Sequence, residues 1–200
     1  MTMADRVAVM RNGRLQQFAT PQEVYHRPAN VFVAGFIGSP DMNLVDGTIQ
    51  RSNGDITVLL GGQRLAIDAS VLVQRPLLGA YDGRQVIVGI RPETIEDAAL
   101  AREAREDRLL HGTVELREEL GPELFVHFSA PQVQLAETAT IAELPRDTGT
   151  LRASSDSDGL LVGRFGPDSD LREGGPVDAV VDTGHLHFFD PETGLGIYAN

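Results

Sequence analysis

The chain has 200 residues, enough for one domain or two small ones at about 150 residues per domain. Hydrophobic residues make up 42% of it, and no apolar run reaches the ~18 residues of a membrane-spanning helix. The formal charge of −12 repels phosphate backbones and anionic headgroups, which argues against nucleic acid or direct lipid binding. Cysteine and lysine are both absent, which excludes disulfides, cysteine-ligated metals and a lysine-containing phosphate loop.

The N-terminal segment predicts a β-hairpin. Residues 7–10 form a short apolar run, Asn12-Gly13 suits a two-residue turn, and residues 15–19 resume an extended pattern. Residues 1–5 have neither the basic nor the apolar region of a secretory signal, which indicates a cytoplasmic protein. Because the hairpin starts so abruptly, we interpret the chain as the later part of a longer one.

Two short helices are predicted after the hairpin. Thr20 can cap the first, and Glu23 completes a capping box, which predicts a helix ending near His26. Asn30 can cap the second helix, in which four apolar residues at helical spacing form one stripe: Phe32, Val33, Phe36 and Ile37. We expect Gly38-Ser39-Pro40 to end this helix.

From residue 42 onward, short extended runs alternate with turn sequences. The runs predict strands at 43–50, 56–60, 64–67, 85–90, 112–118, 124–128, 160–164, 177–182 and 186–189. Many short strands at close spacing indicate a small barrel or sandwich. Two stretches break the pattern: acidic residues 93–108 predict a short solvated helix, and residues 138–159, rich in Thr, Ser, Asp and Gly, predict a long loop.

Few sequence motifs indicate catalysis. His185 and His187 would share one face of a strand, and Asp182 or Asp190 could add an oxygen ligand to form the metal site of a hydrolase. The alternative, which we favour, is a polar strand face without a metal. No nucleophile elbow or metalloprotease motif is present, so the sequence by itself indicates no catalytic, cofactor or metal residues.

A more specific signal is a set of motifs in a fixed order. The first covers residues 1–10, 12–14 and 16–17, then Thr20-Pro21, Glu23-Val24-Tyr25, Arg27-Pro28-Ala29-Asn30, residues 32–40 and Met42-Asn43. The others are Gly89-Ile90-Arg91-Pro92-Glu93, Gly112-Thr113-Val114-Glu115 with Leu120-Gly121 and Glu123, and Phe189-Asp190-Pro191-Glu192-Thr193-Gly194. Together these motifs resemble the ATP-binding subunits of carbohydrate ABC importers of the maltose, trehalose, multiple-sugar and glycerol-3-phosphate group. The resemblance is close over residues 1–49, good over 84–128 and 176–194, and weak between.

The resemblance implies two parts. Residues 1–40 would be the C-terminal remnant of an ABC nucleotide-binding domain, and residues 41–200 an OB-type regulatory and dimerisation domain. The expected fold is therefore mainly β: an OB-type regulatory barrel preceded by a β-hairpin and two short helices. In this family the ATP-binding motifs lie earlier in the chain, so ATP and Mg would belong to the parent subunit and this part would hold no cofactor.

The resemblance also implies partners and candidate interface residues. Regulatory domains of this kind pair with themselves, some receive a regulatory protein, and the parent ATPase domain contacts membrane permease subunits at the inner face of the cell membrane. The motifs place the candidate interface or regulatory residues at Phe36, Ile37, Gly38, Ser39, Pro40, Met42, Asn43, Gly89, Arg91, Pro92 and Glu93.

Two alternatives remain open at this stage. The chain could be a sensor of a small ligand, an oxyanion or a sugar phosphate, because its Gly-rich turns could offer backbone N–H groups. The Arg91-Pro92-Glu93 segment could also be only a strand exit held by an Arg–Glu contact. For this segment, the structural and interface interpretations carry equal weight.

Overall fold

The structure, a computed structural model, describes residues 5–52, 54–144 and 159–198. It opens with a hairpin of β1 (Val7–Arg11) and β2 (Arg14–Ala19), followed by helices α1 (Pro21–His26) and α2 (Val31–Phe36). The φ angles of Asn12 and Gly13 are 47° and 75°, the positive values that this turn pair favours. The capping box at Thr20 is formed, and the side chain of Asn30 caps α2. The predicted hairpin and the two helix starts are confirmed.

Two five-stranded antiparallel sheets follow the helices. Their strands are β3 (Asn43–Ser52), β4 (Asp55–Leu60), β5 (Gln63–Ala66), β6 (Gln85–Ile90), β7 (Ile95–Asp97), β8 (Leu109–Leu120), β9 (Glu123–Ser129), β10 (Leu160–Phe165), β11 (Pro176–Val181) and β12 (His187–Phe189). The first sheet has the order β12-β6-β3-β4-β5, and the second has the order β10-β9-β8-β11-β7. Every predicted strand is present, with bounds that differ by at most three residues at either end. The predicted mainly β fold is confirmed.

A single apolar core lies between the two sheets. It joins Ile49 and Phe188 of the first sheet to Phe128 of the second, all fully buried, as part of one large cluster. Alternating burial along β4 and β11 is the period-2 pattern that made these strands visible in the sequence.

Helix α2 packs on both sides. Val31 and Ala34 contact the first sheet in a cluster with Leu44 and Phe189, whereas Phe32 and Val33 contact the hairpin and α1. Because residues 31–35 are all buried, the helix fixes the N-terminal elements to the first sheet by packing. The predicted apolar stripe left out Val31 and Ala34, which are buried, and wrongly included Phe36. Phe36 is 46% exposed, since the helix stops there and Ile37 is already extended.

The predicted helix over residues 93–108 is wrong. Pro92–Thr94 and Glu106–Arg108 are single 3-10 turns, and β7 lies between them. Ile95 is buried and pairs with Val181, while Asp97 accepts hydrogen bonds from the Ser169 hydroxyl and a backbone N–H. Sheet pairing and these bonds therefore outweigh the local helix tendency of the acidic run.

The predicted loop over residues 138–159 contains one helical turn, α4 (Ala139–Ala142), and residues 145–158 lie outside the described ranges. The structure also contains helix α3 (Ala69–Gln74) and 3-10 helices at Pro76–Tyr81 and Thr183–His185. Among the helices of the described residues, none is long and apolar enough to cross a membrane.

Candidate interface at the helix–sheet junction

Arg91 joins the two N-terminal helices to the end of β6. Its side chain is 3% exposed, and Nη1 and Nη2 donate hydrogen bonds of 2.8 Å to the carbonyls of Ile37 and Tyr25. Its guanidinium carbon lies 3.6 Å from the centroid of the Tyr25 ring, in cation–π range. Gly38, with φ 127°, lies beside this contact, and a Cβ there would come within 3.0 Å of Nη1. One planar, permanently charged group thus connects α1, the end of α2 and the sheet.

Glu93 contacts the same tyrosine but forms no ion pair with Arg91 in the described structure. The Tyr25 hydroxyl donates a 2.6 Å hydrogen bond to Oε1 of Glu93. The proposed Arg–Glu strand exit is therefore wrong: both side chains hold Tyr25 instead. Burial, and then the hydrogen bond to Glu93, raises the pKa of Tyr25 to about 12.

We predict that Tyr25→Phe lowers the free energy of unfolding by about 1 kcal/mol at neutral pH, because it removes a hydrogen bond to a carboxylate but keeps the ring on Arg91. The raised pKa stabilises the folded state below pH 10.0, the ordinary value, and this contribution is lost as the pH rises towards about 12. The variant should therefore lose stability less steeply than the parent over that range. Urea unfolding at several alkaline pH values, followed by circular dichroism, measures both effects.

The control is Glu93→Gln, which keeps an oxygen acceptor for the Tyr25 hydroxyl. It should lose less stability at neutral pH than Tyr25→Phe. The pKa values of Tyr81 and Tyr198 are also raised by burial, so part of the alkaline loss remains in every variant. Equal alkaline slopes for the parent and Tyr25→Phe would contradict the assignment.

Asn43 connects the two sheets. It is 6% exposed, and its Nδ2 donates to the carbonyls of Ile90 at 3.0 Å and Val162 at 2.8 Å. Its Oδ1 accepts from the N–H of Val162 at 2.8 Å. Since β10 is an edge strand, this side chain supplies at Val162 the hydrogen bonds that a neighbouring strand would make.

Gly89 allows a close approach beside this bridge. A Cβ at this position would collide with Sδ of Met42 and come within 3.1 Å of the Cβ of His187. The absence of a side chain on Gly89 lets the buried Met42 lie directly over β6.

The structure brings most of the predicted interface residues into one junction. Ile37, Gly38 and Arg91 touch one another, Glu93 joins them through Tyr25, Met42 and Gly89 form a second contact, and Pro92 is buried next to Arg91. Phe36 stands apart, half exposed, and Ser39-Pro40 connects α2 to β3. Their role as an interface stays a prediction, because the contacts described are all within this chain.

Sequence reasoning missed Tyr25 and Arg75 as functional candidates. Tyr25 belonged to a quoted motif, Glu23-Val24-Tyr25, which was a usable signal. No sequence signal indicated Arg75, which follows a short helix and is nevertheless only 5% exposed. It lies 4.3 Å from the Tyr198 ring centroid, and Nη2 is 3.4 Å from Nδ1 of His187.

The two histidines of the metal alternative lie in different surroundings. His185 is exposed, and its Nδ1 is 2.7 Å from Oδ2 of Asp182, whereas His187 is 5% exposed and faces Arg75. Burial lowers the pKa of His187 well below its ordinary value, and the charges of Arg75 and Arg91 lower it further. Within the described ranges no three His, Asp or Glu side chains are grouped to hold a metal, so the hydrolase site is not formed. The favoured alternative was also wrong in part, since His187 is buried rather than on a polar face.

The sequence of the first sheet and the Arg91 segment matches a known domain family. Residues 38–95 match the MalK OB fold domain family. The matched stretch contains β3 to β6 and the Arg91 segment. The division of the chain at residues 40 and 41 stays a prediction.

Three relatives place the chain more narrowly. It is 39% identical over 199 residues to the trehalose/maltose import ATP-binding protein MalK of Thermococcus litoralis, covering 99% of this chain and 45% of that protein. It is 35% identical over 201 residues to the trehalose import ATP-binding protein SugC of Mycobacterium tuberculosis, covering 98% and 48%. It is 33% identical over 193 residues to the sn-glycerol-3-phosphate import ATP-binding protein UgpC of Ralstonia nicotianae, covering 96% and 44%.

The resemblance found in the motifs is confirmed: almost the whole chain is similar to ATP-binding subunits of sugar ABC importers. The match of residues 38–95 to the MalK OB fold domain family also confirms the OB type of the predicted fold. The chain spans about half the length of the curated relatives it matches. Among solved structures, molybdate-bound ModG aligns with a TM-score of 0.45 and 14% identity, covering 73% of this chain and 94% of that chain. At that similarity neither fold nor ligand is transferred to this chain.

Proposed function

We propose that this chain is the regulatory and dimerisation region of the ATP-binding subunit of a sugar ABC import complex. The parent subunit would couple ATP binding and hydrolysis to carbohydrate uptake. The observation that carries the proposal is the Arg91 junction, in which the hydrogen bonds of a buried arginine hold a hairpin-and-helix unit on an OB-type sheet. The relatives' names, which refer to trehalose, maltose and glycerol-3-phosphate import, support a sugar or sugar-like substrate for the complex.

The junction gives this region a mechanical role. Helix α2 packs on the hairpin with one side and on the first sheet with the other, and Arg91 bonds both helices to β6. The N-terminal elements and the sheet therefore move together. If two copies pair through their OB domains, the attached ATPase domains stay connected while their catalytic parts open and close.

The exposed side chains of the hairpin support attachment to a larger subunit. Met10, Leu15 and Phe18 are 50%, 58% and 51% exposed, and the hairpin is a two-stranded sheet with no further strand beside it among the described residues. Isolated hairpins of this kind are only marginally stable in water. In the parent subunit the nucleotide-binding domain would cover these side chains.

We assign no catalysis to this region. Its sequence has no lysine, so it cannot carry the lysine phosphate loop that binds nucleotide phosphates. ATP, Mg and contact with the membrane permease subunits would belong to the parent ATPase domain, at the inner face of the cell membrane. A regulatory protein could bind the OB domain in the same complex.

We predict that the purified chain is a homodimer at tens of micromolar and does not turn over ATP. Light scattering with size exclusion measures the mass, and phosphate release in the presence of Mg and ATP measures turnover. A chain that is only monomeric at that concentration would contradict the dimerisation role. Turnover above that of buffer would contradict the non-catalytic assignment.

A further inference from the structure

A cleft of about 220 Å³ lies beside the Arg91 junction, between α1, α3 and the segment that leads into β12. Three buried basic side chains line it, Arg75, Arg91 and His187, which are 5%, 3% and 5% exposed. The exposed side chains of Gln74, Glu93 and His185 line it as well, so one carboxylate lies at its rim. The chain is strongly acidic, yet the two buried charges in this cleft, on Arg75 and Arg91, are positive.

Neither arginine has a carboxylate partner in the described residues. Nη1 of Arg75 donates to the Ile197 carbonyl at 3.3 Å, and Nη2 lies 3.4 Å from His187, so both contacts are long. Nε of Arg91 is buried and has no hydrogen-bond partner. Buried charges are normally paired, so two buried guanidinium groups without a carboxylate partner favour an anion as their ligand.

The carboxylates near the cleft are already occupied. Glu93 accepts the Tyr25 hydroxyl, and Asp182 is 2.7 Å from His185. Burial lowers the pKa of Arg75, the Tyr198 hydroxyl partly offsets this lowering, and the charge of Arg27 adds a smaller lowering. The net charge of −12 repels polyanions at a distance, whereas a small ion inside the cleft responds to the charges that line it.

We propose that this cleft binds a small tetrahedral oxyanion, a phosphate group that is either free or carried by a small phosphorylated metabolite. Guanidinium groups suit phosphate oxygens because their N–H donors form a planar fork. His187 is neutral, and with Nδ1 facing Arg75 its Nε2 carries the proton and can donate to the same anion. The volume of the cleft suits a phosphate with few further atoms, since pockets for drug-sized ligands measure about 300–1,000 Å³.

Isothermal titration with inorganic phosphate tests the site directly, with chloride at matched ionic strength as the blank. We expect one saturable site per chain. Glucose 6-phosphate distinguishes the two sources. Tighter binding of glucose 6-phosphate than of phosphate indicates a carried group, and equal or weaker binding indicates the free ion. No saturable binding of either phosphate compound overturns the proposal.

Variants locate the binding. Gln74→Glu places a negative charge at the exposed rim and should weaken phosphate binding about fivefold, and Arg75→Gln should abolish it. Arg64→Gln removes the same positive charge from an exposed position in β5, outside the cleft, and should leave the affinity unchanged. If Arg75→Gln does not fold, the Gln74→Glu and Arg64→Gln pair still decides the question. Unchanged affinity in Gln74→Glu, or an equal loss in Arg64→Gln, overturns the assignment.

Discussion

Asn43→Ala is expected to lower the free energy of unfolding by about 4 kcal/mol. The substitution leaves three buried backbone groups, the carbonyls of Ile90 and Val162 and the N–H of Val162, without this partner. Each such group costs about 1–3 kcal/mol when it is left unsatisfied. Urea unfolding followed by circular dichroism measures the change, because the chain has no tryptophan to report by fluorescence.

Gln50→Ala is the matched control, since Gln50 is an exposed amide in the same strand. Its expected effect lies within about 0.5 kcal/mol, as for most surface substitutions. Because Asn43 connects the edge of β10 to the first sheet, amide hydrogen exchange should also speed up in β10. A loss no larger than that of the control would show that the two sheets do not depend on this side chain.

Arg91→Met is expected to cost about 3 kcal/mol and to loosen the N-terminal helices from the sheet. The methionine keeps most of the buried stem. It removes two charge-assisted hydrogen bonds, to Ile37 and Tyr25, and the cation–π contact with the Tyr25 ring. Hydrogen exchange should increase in α1 and at the end of α2 more than in β4 or β8. Urea unfolding gives the change in global stability.

Two further variants separate the charge from the geometry of Arg91. Arg91→Lys keeps the charge but cannot present a planar fork to two carbonyls, so its loss should be intermediate. Arg64→Met, at an exposed position, should change little. If exchange in α1 and α2 is unchanged in Arg91→Met while the whole chain is destabilised, Arg91 supports the sheet and does not join the helices to it.

Local patterns determined a large part of this fold. The Asn12-Gly13 turn, the caps at Thr20 and Asn30, and the alternating burial of strands such as β4 depend on residues within a few positions of one another. These elements can therefore be predicted from the sequence. The helix prediction for residues 93–108 was wrong because their local composition favours a helix, whereas the pairing of Ile95 with Val181 makes part of the segment a strand. The importer resemblance was also visible, because it rests on ordered short motifs.

Only the tertiary structure decided how these elements connect. Arg91 contacts residues 54 and 66 positions away, Asn43 bonds a strand 119 positions away, and Arg75 meets His187 at a separation of 112. No local pattern encodes such pairs, because each depends on which sheets pack together. The sequence therefore determined the strands other than β7, the hairpin, the helix caps and the family resemblance. Packing of the two sheets and α2 determined the buried Arg91 junction and the basic cleft, since burial of a charge depends on distant chain segments.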